Sequence, residues 1–264
     1  MREVALSELK AIQLEIIQAI HTFCEKHNIK YSLGYGSLLG AVRHGGYIPW
    51  DDDIDIIMPR SDYDKFVSSF NTFHHTIKVR NHSNYTGYPF PFAKVEDTRT
   101  IKNELGYTGL GIAVDVFPID NIPDSSLDSK HLLRKCRRLI LMNQIKFIKW
   151  DSRRPLYRNL IVYIIKIPLL FVSFKKLSLK HEKLSISYNS KHTNYAGCLI
   201  AFYNHKEIMQ NHLFSEYTQI KFENLNLCSI KDYDTYLTNL YGNYMQLPPE
   251  NKRITHHDFQ VFWK

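Results

Sequence analysis

The apolar positions near the start of the chain repeat with the period of a helix. Leu9, Ile12, Ile16, Ala19, Ile20 and Phe23 fall on one face of a segment from Ser7 to His27, with Ser7 as its expected N-cap and the polar run Glu25 to Asn28 as its end. The pattern then shortens: Ile29 to Gly36 predicts a strand stopping at Gly36-Ser37, Leu38 to His44 a short helix, and Gly45-Gly46 a break. Ile54, Ile56 and Met58 alternate with Asp53, Asp55 and Ile57 as in a strand, and Ser61-Asp62 then cap a helix bearing Tyr63, Phe66, Val67 and Phe70. Further strands are expected at Thr76 to Arg80, Phe92 to Glu96 and Ile112 to Phe117, the last closed by Pro118. From Asp128 the pattern is helical to Lys149, breaks at Arg154-Pro155 and resumes at Leu156 with an apolar run around Ile161 to Val172. Tyr217 to Ile230 reads as a hairpin turning at Glu223-Asn224, and Asp232 to Tyr241 as a short helix.

Helices interleaved with strands predict an α/β (α+β) fold, a mixed sheet core flanked by helices with a mainly helical insertion. A chain of 264 residues, 44% of them hydrophobic, can bury a substantial core, which excludes global disorder. The expected division is a catalytic core over residues 1–124, a basic helical insertion over 125–192 and a part completing the core over 193–264. Cys24, Cys136, Cys198 and Cys228 are far apart and form no zinc-finger spacing, so they are expected to be reduced core thiols. The first residues show no apolar signal-peptide core, and the expected location is cytoplasmic.

Charge divides the chain. The net charge is +8, yet Lys130 to Lys183 alone carries 15 Lys/Arg against Asp151 and Glu182, leaving the remainder at −5. An acidic body suits divalent cations; a basic apolar segment suits phosphate or anionic lipid.

The chemistry concentrates at Asp51-Asp52-Asp53-Ile54-Asp55. On a strand, alternate residues face one way, so Asp53 and Asp55 stand side by side with Asp51 in phase. Like charges on one face among apolar neighbours call for a cation, and oxygen ligands favour Mg²⁺ or Mn²⁺. Gly36-Ser37, 16 residues before Asp53, leads into a short helix whose N-terminal N–H groups suit a phosphate. A Gly-Ser turn, a short helix and a strand with alternating acids form the pattern of the nucleotidyltransferase fold, and Asp115 supplies the third acid that fold needs on a neighbouring strand.

The run from Gly36-Ser37-Leu38-Leu39-Gly40 through Arg43-His44-Gly45-Gly46 to Trp50-Asp51-Asp52-Asp53-Ile54-Asp55 closely resembles the LicD family of phosphocholine transferases, whose animal relatives are fukutin and fukutin-related protein. The likeness continues at Ala93 to Thr100, at Val114 to Asp120, at Tyr241-Gly242, at Leu247 to Arg253 and at His256-His257; it is weakest between Ser125 and His192. The resemblance implies transfer of a phospho-alcohol, phosphocholine in bacterial members and ribitol phosphate in animal ones, from a CDP-alcohol donor to a glycan or lipid-linked oligosaccharide. It also implies that Asp53, Asp55 and Asp115 hold the metal, with Asp51 close by. The structural zinc site of the animal relative has no matching cysteines here.

From these acids follows an expected mechanism in which Mg²⁺ bridges the donor phosphates, Asp115 takes the acceptor proton or ligates the metal, and CMP leaves. Lys94 and Arg43 are expected at substrate phosphates, with Gly36, Ser37, His44, Arg253, His256 and His257 also at the substrate and Trp50 as part of a cage for choline. The same carboxylates could instead serve a nucleotidyltransferase that uses an NTP and releases pyrophosphate. A nucleic-acid surface is the third reading of the basic segment, which contains no recognisable motif for it, and none is expected as partner. The run Leu160 to Val172 is too short to span a bilayer. It is expected either to lie at a membrane surface, with Arg153, Arg154, Arg158, Lys175 and Lys176 meeting anionic headgroups, or to pack as an ordinary amphipathic helix.

Overall fold

The computed structural model describes residues 1–104, 107–148, 150, 154–200, 203–254 and 259–264. The chain begins with α1 (Leu6–His27), β1 (Ser32–Leu33), α2 (Tyr35–His44), β2 (Asp55–Pro59), α3 (Arg60–Ser69), β3 (Ile77–Arg80), β4 (Ala93–Asp97), β5 (Thr100–Glu104), β6 (Tyr107–Thr108) and β7 (Ala113–Ile122). Three helices follow, α4 (Ser126–Phe147), α5 (Leu156–Leu170) and α6 (Phe174–Ser185). The chain then returns through β8 (Tyr195–Gly197), β9 (Met209–Gln210), the hairpin β10 (Tyr217–Phe222) and β11 (Leu225–Ile230), α7 (Tyr233–Tyr241) and β12 (Phe259–Trp263).

The expected mixed sheet is present, in the order β1-β2-β7-β4-β3, with β8 and β9 added at the far end of β7. Among the described residues only β2 and β7 of this sheet run parallel. On one face of it Ile56, Met58, Val79, Val95, Val114 and Val116 are fully enclosed, in one core with Ile16, Ile17, Ile20 and Phe23 of α1. The helices α4 to α6 lie between β7 and β8, and a small separate cluster of Ile122, Leu132, Leu133, Cys136 and Leu199 ties α4 to the sheet's end. Cys24, Cys136 and Cys198 are buried free thiols and Cys228 is half-buried, as their spacing suggested.

Several boundaries differ from the periodicity, each for a local reason. Helix α1 is capped at Ala5 rather than Ser7, because the Glu8 carboxylate accepts the Ala5 N–H (3.0 Å) and is itself held by Arg2. Helix α3 begins one residue before Ser61, directly after Pro59, whose fixed φ suits a helix entry. Strand β7 runs through Pro118 instead of ending there: pairing with β4 stops at Val116 and pairing with β8 starts at Asp120, so the missing N–H at 118 costs no ladder bond. The β10–β11 hairpin turns at Glu223-Asn224 as expected, with Glu223 in the left-handed region (φ 56°).

Candidate active site

Register alone builds the centre of the site. Asp55 of β2 lies opposite Asp115 of β7, and Lys94 of β4 lies opposite Asp115 from the other side. Directly paired residues of neighbouring strands share a face, so the three side chains form a row across the sheet. Lys94 Nζ donates to both carboxylate oxygens of Asp115, at 2.5 and 2.7 Å. The phosphate contact expected of Lys94 and the metal contact expected of Asp115 are therefore, in this structure, an ion pair between the two.

The preceding acids do not follow strand alternation. Strand pairing starts only at Asp55, and residues 51–54 have no regular structure, so period two does not govern them. Carboxylate oxygens of Asp51, Asp52 and Asp53 instead lie within 4.8 Å of one another. Alternation points Asp52 away from Asp51 and Asp53; the structure brings it into their group and buries it beside Gln13, whose amide donates to the Asp52 carbonyl (2.9 Å). Asp55 and Asp115 stand beside this group, Asp55 near enough that Asp53 and Asp51 both act on it.

Helix α2 holds the acids in place. Gly36 and Ser37 belong to its first turn rather than to a turn before it, since β1 is only two residues long and α2 starts at Tyr35. The Gly34 N–H donates to the Asp55 carbonyl (2.9 Å), and the Asp55 N–H donates to Ser37 Oγ (2.8 Å). Gly36 has a steric role: a Cβ there would come within 2.8 Å of an Asp51 carboxylate oxygen. The pair thus seats acids as well as offering a helix N-terminus, whose partial positive charge favours carboxylates or phosphate equally. Tyr35 enters the helix with φ 45°, a conformation costly for a non-glycine residue and common beside functional sites.

The electrostatics fit a cation. Burial first, then the Asp53 and Asp115 carboxylates, push the Asp55 carboxyl well above its ordinary value; Lys94 pulls it down and Asp51 raises it further. Five acids and one ammonium leave negative charge in excess, and an all-oxygen donor set at this spacing suits a hard divalent ion. A cavity of about 200 Å³ opens beside them, its lining including Asp52, Asp53, Asp115 and Lys94 together with the rings of Phe90, Phe92 and Phe259. Lys94 Nζ lies 4.7 and 5.3 Å from the ring centres of Phe90 and Phe92.

The remaining expected residues form a second group around Trp50. His44 meets its ring edge-on at 6.2 Å, and the Arg253 guanidinium lies 5.8 Å from it. Arg43 Nε donates to His44 Nε2 (3.0 Å) and its Nη1 to the Tyr244 carbonyl (2.7 Å), while Arg253 Nε donates to the Pro248 carbonyl (2.8 Å). Burial and the Arg43 charge lower the His44 pKa, so His44 is a neutral acceptor here. His256 and His257 lie outside the described residues.

Periodicity gave no sign of Tyr203 and Glu207, which pack on Tyr35 at the start of α2 from the return segment. The Tyr203 ring stacks on Tyr35 at 6.0 Å, its hydroxyl donates to Tyr241 (3.2 Å), and Glu207 accepts the Tyr203 N–H and the Tyr35 hydroxyl. Burial pushes the Glu207 carboxyl up to about 8.

Residues 28–140 match the family model described as LicD/FKTN/FKRP, nucleotidyltransferase domain, a span that holds α2, β2, β4 and β7 with all five acids. The chain is 31% identical over 261 residues to the lipopolysaccharide cholinephosphotransferase LicD of Haemophilus influenzae, covering 97% of each chain. A 63-residue stretch is 44% identical to an uncharacterized protein of Rickettsia typhi (24% of this chain, 20% of the relative) and 43% identical to one of Rickettsia prowazekii (24% of each). Similarity that runs the length of both this chain and the Haemophilus transferase, with the family model falling on the strands that carry the acids, makes the protein a member of the LicD family.

Proposed function

We propose that the protein transfers phosphocholine from CDP-choline to a hydroxyl of a lipopolysaccharide-type glycan or its lipid-linked precursor, releasing CMP, with Mg²⁺ or Mn²⁺ held by the carboxylates. The observation that carries the chemistry is the crowding of Asp51, Asp52 and Asp53 within 4.8 Å, next to Asp55 and Asp115. The choice of phosphocholine is supported by the full-length likeness to a lipopolysaccharide cholinephosphotransferase.

In this reading Asp53 and Asp55, with Asp51 or Asp52, hold the ion. When bound, it offsets charge on the donor's phosphate oxygens and on the departing CMP. The acceptor oxygen attacks the phosphorus that bears choline; the bond from that phosphorus to the bridging oxygen breaks, and its electron pair leaves with CMP. An Asp115 oxygen takes the acceptor's proton, and Lys94, already at 2.5 Å from it, turns between that carboxylate and the incoming phosphate. The Phe90 and Phe92 rings carry the Lys94 ammonium at cation–π distance, which suits the same wall to a quaternary ammonium. Trp50, His44, Arg43 and Arg253 would bind substrate at the C-terminal end of α2, and Gly36 and Ser37 at its first turn.

The test is incubation with a panel of CDP-alcohols and Mg²⁺, following CMP with and without glycan acceptors. Acceptor-dependent CMP release, greatest with CDP-choline, is expected. Another CDP-alcohol as the preferred donor would replace the substrate, and pyrophosphate released from an NTP, without CMP from any donor, would replace the reaction.

A further inference from the structure

Helix α5 is folded inside out. Its Asn159 is 1% exposed and, with Leu169, forms the buried stripe, while Val162 and Lys166 complete that inward face half-buried. The face turned to solvent is apolar: Ile164 is 66% exposed, Leu170 65% and the following Phe171 87%, with Leu160, Ile161 and Ile167 beside them. A helix placed on a protein surface in water shows the reverse order. Nor is the arrangement loosely held. Lys166 Nζ donates to the Ile148 carbonyl (3.0 Å), and Lys146 Nζ from α4 donates to the Leu169 and Val172 carbonyls (2.6 and 2.5 Å), so cations hook the helix from within and cap its C-terminal end.

The charges around this face identify what it meets. Arg154 and Arg158 stand at the start of the helix, and exposed Lys175 and Lys176 follow its end; Arg153 and Lys149 lie outside the described residues. Tyr157 and Tyr163 are exposed on the same helix and Trp150 just before it, the aromatic types that favour a membrane–water interface. Among the described residues no helix is long and apolar enough to cross a membrane. At 15 residues, α5 is about 22 Å long against a hydrocarbon core of about 30 Å. A second copy docked through this face by a two-fold axis would bring like cations together, which disfavours a dimer.

We propose that α5 and Phe171 form an interfacial anchor that lies in the plane of an anionic membrane, with the apolar face among the acyl chains and the flanking arginines and lysines on phosphate headgroups. This inference stands on the helix alone and holds whichever reaction the acids perform.

Flotation of the full chain with vesicles tests it. Partition onto phosphatidylcholine vesicles containing phosphatidylglycerol is expected to exceed that onto pure phosphatidylcholine by about tenfold or more at near-physiological salt. The double substitution Ile164→Glu and Ile167→Glu should lower it about tenfold or more, and Lys175→Glu with Lys176→Glu should remove the preference for anionic vesicles. All four positions are on the surface, and unchanged circular dichroism melting verifies the fold. Equal partition onto both vesicles, partition onto neither, or partition indifferent to Ile164→Glu/Ile167→Glu would overturn the anchor. So would a concentration-dependent dimer in sedimentation that the same pair dissolves.

Discussion

At the start of β2, acids crowd together in a cleft; along α5, isoleucines and leucines face outward while an asparagine and a lysine point in. Both regions reverse what solvent would select, in opposite directions. In each the reversal is held by packed structure: the first turn of α2 and the β2–β7 register position the acids, and the lysine hooks from α4 and α5 hold the helix. Locally unfavourable arrangements of this kind are expected at faces shaped by something other than folding stability, here the cation and phosphates proposed for one and the lipid proposed for the other.

The sharpest break of this comparison is Asp55→Asn. If the acids serve a cation, turnover should fall by about a thousandfold or more, because the amide is a poorer hard-cation ligand. In metal-free buffer the same variant should melt at or above the wild-type temperature, since the cost of keeping an ionisable carboxyl buried among other acids is gone. Mg²⁺ should raise the melting temperature of wild type and not of the variant, as differential scanning fluorimetry would read. An Asp55→Asn protein that turns over normally would remove the acids from the chemistry.

A smaller effect separates a helix that packs from one that docks. Ile16→Ala in α1, where Ile16 is fully enclosed, should cost about 3 kcal/mol in urea unfolding, whereas Ile164→Ala in α5 should change stability by less than about 0.5 kcal/mol. A comparable loss at both would mean that α5 has its partner within the fold.

The smallest effect concerns Glu207. Burial raises its carboxyl from the ordinary 4.5 to about 8, so the unfolded chain gives up this proton at lower pH than the folded one. Its contribution is fully present below the unfolded value and is lost as pH rises toward the folded one. Glu207→Gln, which cannot ionise, should flatten the fall in stability between about pH 5 and 8 and leave the variant more stable than wild type at the upper end, as urea unfolding across that range would read.

Much of this was legible along the chain, for identifiable reasons. Helix α1 and strands β2, β4 and β7 bury one face against a continuous core, and one-sided burial imposes the periodicity by which they are read. The candidate acids were legible because a charge run flanked by Ile54, Ile56 and Ile57 is anomalous. The part of Asp52 was not legible, because strand pairing starts only at Asp55 and the residues before it leave strand phase. The ion pair Lys94–Asp115 and the packing of Tyr203 and Glu207 on Tyr35 were not legible, because they join positions far apart in the chain, 21 residues for Lys94–Asp115 and 172 for Tyr35–Glu207.

The order of apolar and charged residues by itself determined the element types, the mixed α/β class, the acids and the basic, apolar character of the segment 130–183, because these depend on local spacing and composition. Only the tertiary structure decided which acids meet, what Lys94 pairs with and which side of α5 faces out. Helical spacing defines an apolar face without saying what it touches. Whether that face lies against the core or the solvent depends on neighbours brought from elsewhere in the chain, here the lysines and carbonyls that hold Asn159 and Lys166 inward.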